Sequence, residues 1–189
     1  MIEEFEELLG KVQREGMDKL ISFIRKSDFY AAPASTKYHS CHEGGLLEHS
    51  MSVYKCLLEK KKNPTWQEHL KNIPEESLII AALLHDLCKT YYYIVQYRNK
   101  KNDAGVWEQV PYYTVNDEVP YGHGEKSVMM IEEFIKLTPV ERYAIRWHMG
   151  FTEQKENYNT LGTAIKRYPL ILALHEADVE SSYLFEKEE

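Results

Sequence analysis

The chain has no apolar stretch approaching the roughly 20 residues that a membrane span requires, and it opens on Met1-Ile2-Glu3-Glu4, acidic where a secretory leader is basic. The expectation is a cytoplasmic protein with no membrane partner. Cysteine is scarce as well: Cys41, Cys56 and Cys88 are odd in number, widely spaced and free of any CxxC pairing, which excludes a disulfide framework and a zinc finger. They are expected to be reduced and mostly buried. Positive charge is also short. A formal net charge of −7 argues against broad polyanion binding, which rests on neutralising many phosphates with Lys and Arg. Small phosphorylated substrates stay open, because bound divalent ions reverse the local field whatever the total charge. The 189 residues fit one domain with a sizeable core.

What is present is concentrated chemistry. His85-Asp86-Leu87-Cys88, followed at once by Lys89, closes the uninterrupted apolar run Leu78 to Leu84. Ionisable groups at the end of a buried helix are costly unless compensated, and a metal ion is the usual compensation. His49, His123, His148 and Asp178 then fall at intervals suited to successive helices. The order is H, HD, H, H, D, which supplies six N/O donors, enough for two ions if Asp86 bridges them. A single histidine on a half-apolar helix is ordinarily a satisfied core or surface residue. The weight here comes from the ordered series.

Helical spacing of Ile2, Phe5, Leu8, Leu9 and Val12, and again of Met17, Leu20, Ile21 and Ile24, predicts two amphipathic helices within residues 1–27. A polar loop carrying His39 and His42 ends at Gly44-Gly45, and a helix over about Leu46 to Lys61 places His49 on an inward face. Its tail, Glu59-Lys60-Lys61-Lys62, reads as a solvated helix end. Pro74 and Glu75-Glu76 announce a central helix, Leu78 to Lys89, in which Lys89 shares a face with His85 and Asp86. Alternation in Tyr91, Tyr93, Val95 and Tyr97, a turn at Asn102-Asp103-Ala104-Gly105 and the β-branched and aromatic run to Val115 predict a β-hairpin. Arg98, Lys100 and Lys101 near its tip read as a solvated turn. His123 and Ser127 stand at the entrance of a helix over Glu125 to Leu137, where an anion or ligand is favoured. Thr138-Pro139-Val140-Glu141 is a capping box opening a helix that ends near His148, and Leu170 to Leu184 forms an apolar helix with His175 and Asp178 on one face.

Taken together, Gly44-Gly45-Leu46-Leu47-Glu48-His49-Ser50, His85-Asp86, Gly122-His123-Gly124-Glu125-Lys126-Ser127 and Ala177-Asp178 resemble the HD-domain superfamily of metal-dependent phosphohydrolases. The segment Pro33 to His49 is most similar to the HD module of bacterial 3′–5′ exoribonucleases. The whole arrangement is similar to stand-alone HD hydrolases of phage and Gram-positive genomes. The resemblance implies an all-α HD-domain helical bundle, here with a projecting β-hairpin around residues 91–115, as a single domain over 1–189 with the amphipathic helices of 1–27 packed on it. It implies His49, His85, Asp86 and Asp178 as metal ligands, with His123 and His148 as the added ligands of two-metal members. Cyclic-dinucleotide phosphodiesterases of the family are a poor specific match, because they carry paired histidines where this chain has His148-Met149 and Gly where it has Cys88. Exoribonucleases carry a separate nucleic-acid-binding domain, so long RNA is not the expected substrate.

The expected function is hydrolysis of a phosphoester in a nucleotide or other small phosphorylated substrate, including a short oligonucleotide. It would use one or two divalent ions among Mn, Fe, Ni, Mg and Zn. Asp86, Lys89 and His39 are the expected catalytic residues; Lys89, His39, His42 and Ser127 are the expected substrate contacts. His175 either supports Asp178 or packs. The same ligand order occurs in the superfamily's di-iron oxygenases, the principal alternative, and a non-catalytic nucleotide-binding module is the third reading. Oligomeric state is left open.

Overall fold

The two N-terminal stripes fold as expected into α1 (Ile2–Gly10) and α2 (Met17–Lys26), which bury Phe5, Leu8 and Leu9, and Met17, Leu20 and Ile24. The structure, a computed structural model, describes residues 1–38 and 40–186. The most apolar segment becomes α5 (Glu75–Leu84), in which every residue from Ser77 to Leu84 is buried. Three helices complete a ring with it: α3 (Gly45–Lys62) packs on α5 and on α9 (Leu170–Glu180), and α7 (Pro139–Arg146) closes the circuit by packing on both α5 and α9. One apolar cluster runs from Phe5 through Leu46, Ile80 and Ile145 to Leu174.

Between α5 and α7 lie the hairpin and α6 (His123–Glu132). Strands β1 (Tyr93–Lys101) and β2 (Trp107–Val115) pair antiparallel, Tyr93 opposite Val115 and Lys101 opposite Trp107. Pro111 is tolerated because a strand in a two-stranded sheet has one unpaired edge. Arg98 lies over the Tyr112 ring and Lys101 over Trp107, both at the exposed surface, as a solvated turn implies. Among the described residues, no helix is long and apolar enough to cross a membrane.

Several boundaries differ from expectation. The central helix stops at Leu84, not Lys89: Asp86 has φ −105° and ψ 20°, and Leu87–Lys89 is a 3₁₀ turn. Successive residues on an α-helix point about 100° apart, so leaving the helix is what lets His85 and Asp86 converge. Helix α6 ends at Glu132, short of Leu137, and α9 ends at Glu180, where a π turn over Ser181–Phe185 replaces the expected continuation to Leu184. Two short helices were not expected. They are α4 (Pro64–Leu70), capped by Asn63, and α8 (Tyr158–Arg167), which covers a small cluster around Trp147, Leu161 and Ile171. Lys60 is not solvated. It is buried, with Nζ 2.9 Å from Glu176 and 2.6 Å from Glu180, and ties α3 to α9.

The end of the ring away from these helix termini is fastened by a polar knot. Arg14, between α1 and α2, makes two 2.6 Å bonds to the fully buried Glu141 and a 2.8 Å bond to Glu76. Glu141 also accepts from Ser77 Oγ at 2.6 Å and, in the capping box, from Thr138 N at 2.8 Å.

Candidate metal centre

Six side chains from five elements meet at one end of the helical ring. His49 comes from the inward face of α3, His85 and Asp86 from the break after α5, and His123 from the first residue of α6. His148 follows α7, and Asp178 sits in the last turn of α9. Asp86 is the hub. Its Oδ1 is 2.6 Å from His123 Nε2 and 3.5 Å from His148 Nε2. Its Oδ2 is 2.6 Å from Lys89 Nζ, 3.4 Å from His85 Nε2 and 3.6 Å from His49 Nε2. His49 Nε2 is in turn 3.2 Å from Asp178 Oδ1 and 3.3 Å from His85 Nε2. Among the described residues, candidate ligand atoms form three overlapping groups, His49/His85/Asp178, His85/Asp86/His148 and Asp86/Cys88/His123, each with its ligand atoms within 4.8 Å of one another.

The hydrogen bonds behind the rings decide which nitrogen faces inward. His85 Nδ1 is 2.8 Å from Ala82 O, and His148 Nδ1 is 2.7 Å from Ile145 O. A carbonyl only accepts, so each Nδ1 carries a hydrogen and Nε2 is the nitrogen turned toward the cluster; burial would lower the His148 pKa, but Asp86 and Asp178 raise it. Among the described residues, His148 Nε2 is buried with no hydrogen-bond partner. Such an orphaned group costs about 1–3 kcal/mol. Together with the convergent imidazole and carboxylate donors, it fits a divalent cation of the borderline class.

Charge is distributed to match. Burial pushes His85 down to about 4, so it stays neutral. Burial also opposes ionisation of Asp86, but Lys89, His85 and His123 outweigh it and hold the carboxyl well below the usual carboxylate range. Asp178 is likewise held low by His49 against the effect of burial. Burial alone would lower His49, yet Asp178 and Glu186 raise it to about 9. Lys89 also resists burial, because the Asp86 carboxylate keeps it charged. Cys88 is the exception: burial pushes its thiol up to about 12, and its Sγ lies 3.3 Å from His123 Nδ1.

Close backbone approach brings His123 to His148. A Cβ on Gly124 would stand 2.3 Å from Arg146 O, so only glycine lets the start of α6 reach the end of α7. Ser127 does not face the cleft. It is fully buried, and its Oγ accepts from Cys88 N at 3.1 Å, fixing the turn that carries Lys89.

Four of the donors, Asp86, His123, His148 and Asp178, line a cleft of about 440 Å³ whose walls include Lys89, Tyr92, Tyr93, His175 and Tyr183. That volume suits a small ligand. His42 faces a neighbouring cleft beside the hairpin, with its Nε2 3.4 Å from Glu48, and is not among the residues lining the donor cleft. His39 lies outside the described residues. His175 supports His148 and not Asp178: its Nδ1 donates to His148 O at 2.8 Å. Sequence reasoning missed Glu186, whose Oε1 is 2.7 Å from His49 Nδ1. Burial raises its pKa and His49 more than reverses that, bringing it to about 2. Nothing local in the sequence signals this contact, because it depends on the π turn that follows α9 and packs on α3.

No solved structure shows a significant match to the chain. A curated relative, a dihydroneopterin 2′,3′-cyclic phosphate phosphodiesterase of Methanocaldococcus jannaschii, is 41% identical over 63 residues, covering 33% of this chain. The match spans only 25% of that relative's length. The family model described as HD domain matches residues 46–179, from the helix bearing His49 to the residue after Asp178. With this match over most of its length, the chain belongs to the HD domain family, within the superfamily of metal-dependent phosphohydrolases.

Proposed function

We propose that this chain hydrolyses a phosphoester in a nucleotide or other small phosphorylated molecule, with His49, His85, Asp86, His123, His148 and Asp178 holding one or two divalent ions. The observation that carries the reading is the buried His148 Nε2, without a hydrogen-bond partner among the described residues and aimed at the group around Asp86. Bound divalent ions would supply Lewis-acid polarisation of a phosphoryl oxygen and a nucleophile active at neutral pH. The chain's own residues position and neutralise. Asp86 turns Oδ2 toward His49 and His85 and Oδ1 toward His123 and His148, so a single carboxylate can serve two sites. Lys89 places an ammonium at the cleft wall, where it can meet a phosphate oxygen as a point charge.

The tyrosine-lined walls favour a substrate with a flat heterocycle, since rings stack on aromatic faces and exclude water from the reacting end. A relative named for a cyclic phosphate diester supports diesters as well as monoesters in a substrate screen. Release of phosphate or of a phosphomonoester, followed over nucleotides, cyclic nucleotides and short oligonucleotides, is expected to need added divalent ion and to proceed unchanged without oxygen. Product formed only aerobically, with oxygen consumed, would assign the centre to oxygenase chemistry instead. Binding without turnover would leave a nucleotide-binding module.

Lys89→Met separates substrate contact from metal ligation, because a protonated ammonium has no lone pair to give a cation. Metal content is expected to stay near wild type. Loss of one charge-assisted contact should lower kcat/KM about 10–100-fold, roughly 1.4–2.7 kcal/mol. Full activity in that variant would reduce Lys89 to the counter-charge of Asp86.

A further inference from the structure

We propose that Glu186 is the positioning residue for His49, so that the turn after α9, and not the helical ring alone, sets the strength of the metal centre. The proposal rests on the ligand reading given above. The Glu186 side chain is 7% exposed. Its Oε1 accepts from His49 Nδ1 at 2.7 Å and from Ser181 Oγ at 2.5 Å, and its Oε2 accepts from Ser40 Oγ at 2.5 Å. An ionised carboxylate only accepts, so His49 Nδ1 carries its hydrogen and Nε2 is the nitrogen left to face His85, Asp86 and Asp178. A cation takes that nitrogen only as a lone-pair donor. A carboxylate behind the ring fixes both orientation and tautomer and raises the basicity of the ligating atom.

The surrounding chain is shaped to hold this acceptor in place. After α9 the π turn Ser181–Phe185 brings Glu186 back toward α3, with Ser181 fully buried against it. From the other side comes Ser40, a non-glycine residue at φ 47°, in the left-handed region. Its carbonyl accepts from Ala34 N at 3.0 Å and presses on Gly45, where a Cβ would stand only 2.0 Å away. Strain of this kind persists where the surroundings over-determine it, commonly at functional sites. Here it presents the Ser40 hydroxyl to Glu186. A carboxylate buried for stability alone is best paired with Lys or Arg, as Glu141 is with Arg14. The groups that hold Glu186 are two hydroxyls and a ligand histidine, which orient it.

The test uses the metal-stripped chain and Zn²⁺ as the probe, with affinity read by competition against a chromophoric chelator. Glu186→Ala is expected to weaken binding about 10–100-fold with unchanged helical circular dichroism. Glu186→Gln should recover part of that loss, since its amide oxygen can still accept from His49. Leu184→Ala, on the same turn with its side chain exposed, should bind as wild type does. Wild-type affinity in Glu186→Ala, when His49→Ala has lost binding, overturns the proposal and leaves the ligand reading standing. Wild-type affinity in both variants removes the ligand reading, and the proposal with it. If Glu186→Ala does not fold, Glu186→Gln decides: it must bind Zn²⁺ more weakly than wild type at unchanged circular dichroism, and equal affinity overturns the proposal.

Discussion

Asp86→Ala is expected to lose most of the bound metal and to lower kcat/KM for phosphoester hydrolysis by at least about 10³-fold, roughly 4 kcal/mol. Among the described residues, Asp86 is the one side chain whose oxygens approach both sets of imidazoles, 2.6 Å from His123 and 3.4 Å from His85, so its removal weakens both halves of the centre together. It also strips Lys89, 2.6 Å away and largely buried, of its carboxylate partner. The loss should therefore exceed that of Lys89→Met by tenfold or more. Asp86 lies beyond the end of α5, outside the helix hydrogen-bond ladder, so helical content should be retained. Elemental analysis of the freshly purified proteins and kcat/KM on one common substrate measure the two effects. Equal metal content in wild type and variant would sink the hub assignment.

The donor series was legible in the sequence because each member sits on a feature with a local signature. His49 lies on an inward helical stripe, His85 and Asp86 follow an all-apolar run, and His123 lies beside glycines at a helix entrance. The hairpin was legible for the same reason, its alternation and its Asn102–Gly105 turn being short-range patterns. Contacts that depend on where the chain returns were not legible. Lys60 looks like part of a charged helix tail until α9 brings Glu176 and Glu180 against it. Glu186 looks like tail composition until a π turn delivers it to His49. Glu141 could be read as half of a capping box, which it is, but Arg14 lies 127 positions earlier and no periodicity links the two. Periodicity also over-extended α5, because side-chain spacing continues through a 3₁₀ turn that backbone hydrogen bonding does not treat as α-helix.

That capping residue carries the second large effect. Glu141→Gln is expected to destabilise the protein by about 3 kcal/mol at neutral pH, which lowers Tm by about 6–12 °C for a chain of this size. The side chain is fully buried and receives both Arg14 nitrogens, Ser77 Oγ and Thr138 N, so the amide leaves Arg14 facing an uncharged partner and cannot accept every bond. The pH dependence has a definite sign. Burial would raise the Glu141 pKa, but Arg14, Ser77 and the Thr138 backbone lower it below the ordinary 4.5. A group with a depressed folded-state pKa contributes in full above its unfolded value and loses that contribution as pH falls through the folded one. The Tm gap between wild type and Glu141→Gln should therefore be constant above about 4.5 and close as the medium becomes more acid. A gap that widens on acidification would contradict the assignment. The knot joins the starts of α5 and α7, whereas His85, Asp86 and His148 follow their ends, about 15 Å away along α5. Below its lowered Tm, the Gln variant should consequently bind metal as wild type does, so stability and site chemistry can be varied independently in this protein.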